Sequence, residues 1–227
     1  MKEMQFRHEY KHYLNYGDYL INRKRLDAVM KRDPHAGPEG IYHIRSLYFD
    51  NANDKALLEK ISGISEREKF RIRCYNADSE FIRLEKKVKQ SGLGYKVSAP
   101  LTREETEKIL SGNLDWMSGS GEALIVELYS KMKMQGLRPK TIVDYTREPF
   151  VYSAGNVRVT LDYDIRTGVL ETDMLSKHVA TVPVSPGLII LEVKYDNFLP
   201  DMIRDIVQQK YREESAFSKY EACRIFG

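Results

Sequence analysis

The sequence predicts an α+β fold, an antiparallel sheet that is closed or strongly curved, with short helices packed on its outside. Three observations predict it. Runs of charged side chains alternating with apolar ones recur at the two-residue period of a strand. The segments with helical spacing between them are short. Five of the strand-like runs also carry the same mixed face of Arg, Lys and Glu opposite an apolar face, which points to a sheet with a polar interior and helices outside.

Taken in order, residues 5–14 alternate Phe6, His8, Tyr10 and His12 with Arg7, Glu9 and Lys11 and read as a strand. Gly17 to Met30 fits a helix through Tyr19, Leu20, Leu26, Val29 and Met30, stopped by Lys31-Arg32-Asp33-Pro34. A loop at Gly37-Pro38-Glu39-Gly40 leads into a β-branched and aromatic strand over 41–49, followed by a short helix from Asp54 to Ile61. Runs at 69–73 and 81–88, with Asn76 and Asp78 in the turn, read as a hairpin. Gly92 and Gly94 break the next link, and Tyr95-Lys96-Val97 suggests a third strand. Thr102 and Glu105 have the spacing of a capping box for a helix to Leu110. Another helix is expected over 120–134, entered through the loop Ser118-Gly119-Ser120-Gly121, which lacks the GK[ST] of a phosphate-cradling loop. Strands follow at 140–151, 157–165 and 188–195, with a poorly defined run at 178–183. Helices at 199–209 and 217–226 close the chain. No repeat or linker appears, so a single domain over 1–227 is expected.

Composition narrows the class. With 42% hydrophobic and 11% aromatic residues the chain is too apolar to be disordered, and 30% charged residues exclude a membrane bundle. Thirty-six Lys and Arg against 33 Asp and Glu leave +3, too little for a nucleic-acid binder. Cys74 and Cys223 are too few for a disulfide framework and lack the company of a zinc site. The opening MKEMQFRHEYKHYL has no apolar stretch of the kind a signal peptide needs. A soluble, cytoplasmic chain without a membrane segment is expected, with a membrane-protein partner and the oligomeric state left open.

The charged faces carry the chemistry. Arg7, Glu9 and Lys11 share a face; so do Lys69, Arg71 and Arg73; Arg83, Glu85 and Lys87; Arg158, Thr160, Asp162 and Asp164; and Glu192 and Lys194. Solvated cross-strand ion pairs would account for any one of them. Recurrence of Glu-x-Lys at 9–11, 85–87 and 192–194 instead suits a triphosphate held with a divalent cation. Arg and Lys take phosphoryl oxygens, and Glu takes the hard metal. His8, His12, His35, His43 and His178 have no ligand spacing, and Tyr10, Tyr48 and Tyr95 read as packing rather than catalytic acids. Asp162 and Asp164 suit either a metal or the anchoring of Arg147 or Arg158.

These motifs resemble the triphosphate tunnel metalloenzyme superfamily and, within it, the VTC-type polyphosphate polymerase domain. The matching segments are RHEYK at 7–11, SLYFDN at 46–51, KFRIR at 69–73, LEKK at 84–87, YTREPF at 145–150, VRVTLDYDI at 157–165, LEVKY at 191–195 and FSKY at 217–220. The resemblance implies an eight-stranded antiparallel barrel, a tunnel in which ATP and inorganic polyphosphate or triphosphate meet a divalent metal, Mn2+ or Mg2+. It implies Arg71, Arg73, Lys87, Arg147 and Arg158 as catalytic cations and Lys11, Lys96, Lys194 and Lys219 as substrate ligands. Glu192 is implied as the metal carboxylate, with Glu9 and Glu85 auxiliary. Arg7 stands where the hydrolytic branch has the first Glu of E-x-E-x-K, which favours transfer to polyphosphate over hydrolysis. A non-catalytic module for polyphosphate, nucleotide or RNA is the other class. Interleaved carboxylates argue against RNA.

Overall fold

The computed structural model describes residues 7–76, 78–90, 93–208 and 215–225. In chain order the elements are β1 (His8–Leu14), α1 (Tyr16–Val29), β2 (Lys31–Arg32), β3 (Tyr42–Asp50), α2 (Lys55–Ile61), β4 (Arg67–Tyr75), β5 (Asp78–Gln90) and β6 (Leu93–Leu101). They continue with α3 (Arg103–Leu110), α4 (Ala123–Gln135), β7 (Arg138–Tyr152), β8 (Val157–Thr167), β9 (Val182–Pro183), β10 (Ile189–Tyr195), α5 (Asp201–Val207) and α6 (Lys219–Ile225). The class is α+β, with antiparallel pairing at every strand register assigned. The contacts divide the chain into two units interleaved in sequence. One comprises 1–43, 145–165 and 185–218; the other comprises 44–144, 166–184 and 219–227.

In the first unit the order is β1-β10-β8-β7, with β2 on β7. Tyr10, Val193 and Val159 fall in one register row and Leu191 and Leu161 in the next. This apolar face packs on Leu26 and Met30 of the α1 end and on Ile203 and Val207 of α5. Asn15 caps α1 by accepting from the Asp18 N–H at 2.8 Å. Glu148, 1% exposed, anchors that helix to β7 by accepting from the Tyr19 hydroxyl at 2.5 Å and from Arg23 at 2.7 Å; Arg32 of β2 reaches it at 2.8 Å. The turn between β7 and β8 needs Gly155 at φ 72°, because a Cβ there would run into the Phe198 carbonyl.

The second unit holds the order β7-β3-β4-β5-β6. Its apolar face is Leu47 and Phe49 of β3, Phe70 and Ile72 of β4, and Ile82 and Leu84 of β5, covered by Ile109 of α3 and Leu124, Ile125 and Leu128 of α4. The capping box of Thr102 and Glu105 is formed, at 3.1 and 2.8 Å. Arg45 pins the segment after β8 by holding Asp144 at 2.9 Å and the Ser176 carbonyl at 2.8 Å. β6 is far longer than the expected 95–97, because Gly94 and Pro100 occupy the unit's edge strand, where neither interrupts an inner ladder. Each unit taken by itself is an open sheet, edged by β1 in one and β6 in the other, so the expected closed barrel is not made by strand pairing within either. The expected helix ends at Gln209 and Phe226, and Phe6 of the expected first strand, lie outside the described residues.

Candidate functional site

In the first unit, antiparallel register turns two Glu-x-Lys motifs into a checkerboard. Lys11 of β1 lies opposite Glu192 of β10, and Glu9 opposite Lys194. Lys11 Nζ is 2.9 Å from Glu9 and 3.4 Å from Glu192, while Lys194 Nζ is 2.6 Å from Glu192 and 3.5 Å from Glu9. Burial disfavours the Lys11 ammonium, but Glu192 and Glu9 more than offset it and hold its pKa above the ordinary lysine range. The next register column is β8, where Thr160 faces Glu192 and Arg158 faces Lys194. Thr160 is 2% exposed, and its hydroxyl has no hydrogen-bond partner among the described residues.

Arg147 of β7 enters the same group. Its guanidinium grips both oxygens of Asp162, at 2.6 and 2.7 Å, and lies 3.6 Å from Glu192. Asp162 is therefore the Arg147 anchor of the two roles considered for it. Asp164 is exposed with φ 49°, a left-handed backbone that interrupts the regular alternation of β8. Arg158 has its ion pair with Asp33 at 3.1 Å. Arg7, in the place of the hydrolytic branch's first Glu, is bound to Asp196 at 2.7 Å.

The second unit displays a denser cationic face. Register aligns Ser46, Arg73 and Arg83 in one row, Tyr48, Arg71, Glu85 and Ser98 in the next, and Lys69, Lys87 and Lys96 in the third. Arg67 and Lys89 make a fourth. Glu85 is the single carboxylate at these β4–β6 positions, and it is shared. Arg71 holds it at 2.6 and 2.8 Å, Lys96 at 2.6 Å, and Arg73 stands 3.9 Å away. Burial acts to raise the Glu85 pKa, but Arg71, Arg73 and Lys96 outweigh it and hold the carboxylate far below its usual range. Ser46 accepts from Arg73 at 3.0 Å and Tyr48 from Arg71 at 2.8 Å. Three lysines abreast and Arg73 directly opposite Arg83 are arrangements that repel unless an anion lies over them.

The sequence model of the VTC domain family matches residues 6–225. The chain belongs to the VTC domain family. No curated protein matches it. Solved structures similar to it include PH1819 of Pyrococcus horikoshii OT3 (14% identity, 95% of this chain and 94% of that one, TM-score 0.48). Others are bh2851 of Bacillus halodurans (14%, 84% and 80%, TM-score 0.49) and PH1012 of Pyrococcus horikoshii OT3 (14%, 91% and 94%, TM-score 0.46).

The site residues expected of this VTC domain thus fall in two groups. Glu9, Lys11, Arg147, Glu192 and Lys194 meet in the first unit, with Arg158 in their register but paired to Asp33. Arg71, Arg73, Glu85 and Lys96 meet in the second, and Lys87 shares their face. Lys219 opens α6, half-buried, next to Tyr220, whose ring stacks on Tyr48. Lys86 points away from Lys87 and pairs with Glu127 at 2.6 Å. A cavity of about 330 Å³ lies at the α2 end of β4 and β5, past the central rows of this face. Lys69 is the only cation of the three central rows among its lining residues, and its cations Lys55, Arg67, Lys69 and Lys89 are matched by Asp50, Glu59, Glu66 and Glu68. It is a poor seat for a polyanion.

Among the described residues no three carboxylates, histidines or thiols gather into a metal cage. Glu85 is fully engaged by cations, which makes it the organiser of Arg71 and Lys96 in this structure. Glu192 and Glu9, with the orphan Thr160 hydroxyl beside Glu192, fit a hard divalent ion that brings most of its ligands with it as phosphate oxygens and water. The Thr160 hydroxyl was the feature hardest to foresee, whereas the Arg147–Asp162 grip is one of the roles expected of Asp162. The signal for Thr160 was its place on the charged face of β8.

Proposed function

We propose that this VTC domain binds ATP and condensed phosphates and transfers the γ-phosphoryl group of ATP to the end of a polyphosphate chain. The observation that carries the reading is the face of β4, β5 and β6, where Lys69, Arg71, Arg73, Arg83, Lys87 and Lys96 occupy three adjacent register rows with Glu85 the one carboxylate among them. Family membership supports a phosphate-handling role. The closed tunnel implied by the resemblance, formed by a single domain, is part of the proposal.

A terminal phosphate oxygen of polyphosphate attacks the γ-phosphorus, the bond to the β–γ bridging oxygen breaks, and ADP leaves with that electron pair. No protein nucleophile is needed. The work is alignment and neutralisation of charge on the phosphoryl oxygens, for which bidentate Arg71, Arg73 and Arg147 and the point charges of Lys11, Lys87, Lys96 and Lys194 are suited. Glu85 holds Arg71 and Lys96 in place before the anion arrives, which reduces the ordering left to do on binding. Glu192, Glu9 and Thr160 are the residues that would hold Mn2+ or Mg2+. The ion would supply further neutralisation of the phosphates. Lys219 would add a cation at the edge of the site.

Hydrolysis uses the same cations, differing in whether water reaches the γ-phosphorus. Arg7 favours transfer, since its ion pair with Asp196 replaces a carboxylate that hydrolases of the superfamily are expected to present. Incubation with ATP and Mn2+ decides the matter: growth of polyphosphate supports the proposal, free phosphate without chain growth supports hydrolysis, and neither leaves a binding module.

A further inference from the structure

Tyr48 sits in the central row of the cationic face and is 7% exposed. Its phenol oxygen accepts from Arg71 Nη1 at 2.8 Å. The ring is fixed from the other side by Tyr220 of α6, stacked with centroids 4.9 Å apart and planes at 27°. The Tyr220 hydroxyl is spent elsewhere, donating to Asp50 Oδ2 at 2.5 Å. An arginine has no lone pair to offer, so the Tyr48 proton must find another acceptor. Among the described residues none lies within hydrogen-bond distance of it. A nearly buried O–H left without an acceptor, in a row of cations, is the complement of an anionic oxygen.

We propose that Tyr48 is a ligand of the bound phosphate chain, its phenolic O–H donating to a phosphoryl oxygen that Arg71 and Arg73 neutralise. The inference rests on the reading of this face as a condensed-phosphate site and adds to it a neutral donor whose loss with pH controls affinity. The groups around the phenol are Arg71, Arg73 and Lys69 on β4, Glu85 on β5, Asp50 on its own strand, and Tyr220 and Arg224 on α6. Burial acts to raise the phenol pKa, but Arg71, Arg73 and Lys69 overcome it and bring it down to about 8. Bound phosphate cancels those cations and restores the proton. The complex therefore holds more protons than the free protein, and affinity falls as pH rises through the free phenol's titration.

The experiment is calorimetric titration of the whole chain with tripolyphosphate between about pH 7 and about pH 10, for wild type and Tyr48→Phe. The phenylalanine keeps the ring on Tyr220. At neutral pH the variant is expected to bind about tenfold more weakly, the loss of one hydrogen bond to a charged group. The gap should close as pH rises past the phenol titration, because the wild type loses its donor as well. A second measurement, tyrosinate ultraviolet absorbance of wild type and variant, should show an early-titrating phenol that saturating tripolyphosphate moves to higher pH. Tyr48→Phe should remove it and leave that of Tyr75, whose burial is likewise outweighed by Arg73. Equal affinities at neutral pH, a gap that ignores pH, or an early Tyr48 phenol insensitive to tripolyphosphate would overturn the Tyr48 assignment alone. Failure of the wild type to bind tripolyphosphate at any pH overturns it together with the proposed function.

Discussion

The distribution of charge among single residues sets apart what serves stability and what serves chemistry. Arg147 and Asp162 are both buried and bidentate, so removing either partner strands the other. Arg147→Ala is expected to lose about 3–5 kcal/mol in a denaturant titration, and Arg147→Met with Asp162→Leu to regain most of it. If the double variant recovers stability while turnover stays absent, Arg147 serves both fold and reaction. Glu192 is different, since besides Lys11, Lys194 and Arg147 it faces the unpartnered Thr160 hydroxyl, a second oxygen for a metal. Glu192→Gln should lower Mn2+-dependent turnover by tenfold or more while changing nucleotide affinity far less. Equal turnover of variant and wild type at saturating Mn2+ would remove Glu192 from the metal role.

At the scale of elements, the alternation of charge made most strands readable. Arg67, Lys69, Arg71 and Arg73 advertise β4 because every second position must face away from Phe70 and Ile72. What could not be read were partners brought together by register over long separations: Arg158 with Asp33, Arg45 with Asp144, Tyr48 with Tyr220. β2 was hidden for another reason. Lys31 and Arg32 look like the end of a helix, and only pairing with Val151 and Phe150 makes them a strand. The docking of α1 depends on one such partner, Glu148. Burial acts to raise its pKa, but hydrogen bonds from Tyr19, Arg23 and Arg32 hold it lower than usual. Its stabilisation is thus full above the unfolded carboxylate's pKa near ~4.3 and is lost as pH falls below it. Glu148→Gln should be less stable at neutral pH and show a flatter acid profile, with amide exchange fastest in α1. An unchanged exchange rate there would show that the apolar face of α1 suffices.

For the whole molecule, the two groups of site residues make separable demands. On the proposed function, the second unit's face attracts an anion through its own cations, whereas the carboxylates of the first would serve a metal. Chelation of divalent ions should therefore stop transfer yet leave tripolyphosphate binding within about threefold, provided salt is held constant. A parallel loss of both would tie binding to the metal. One arrangement also reaches beyond catalysis. With Lys69, Lys87 and Lys96 abreast and Arg73 facing Arg83, this sheet carries like-charge repulsion that Glu85 offsets at Lys96 and Arg73, and a polyanion would act on it as a borrowed counter-strand. Ligand binding to the folded form alone adds stability in proportion to the logarithm of its concentration. Limited proteolysis should then be slow in tripolyphosphate and fast without it, with the first cuts in β5 and β6. In a cell, the protein's own lifetime would become a gauge of the condensed-phosphate supply, with the empty form cleared soonest.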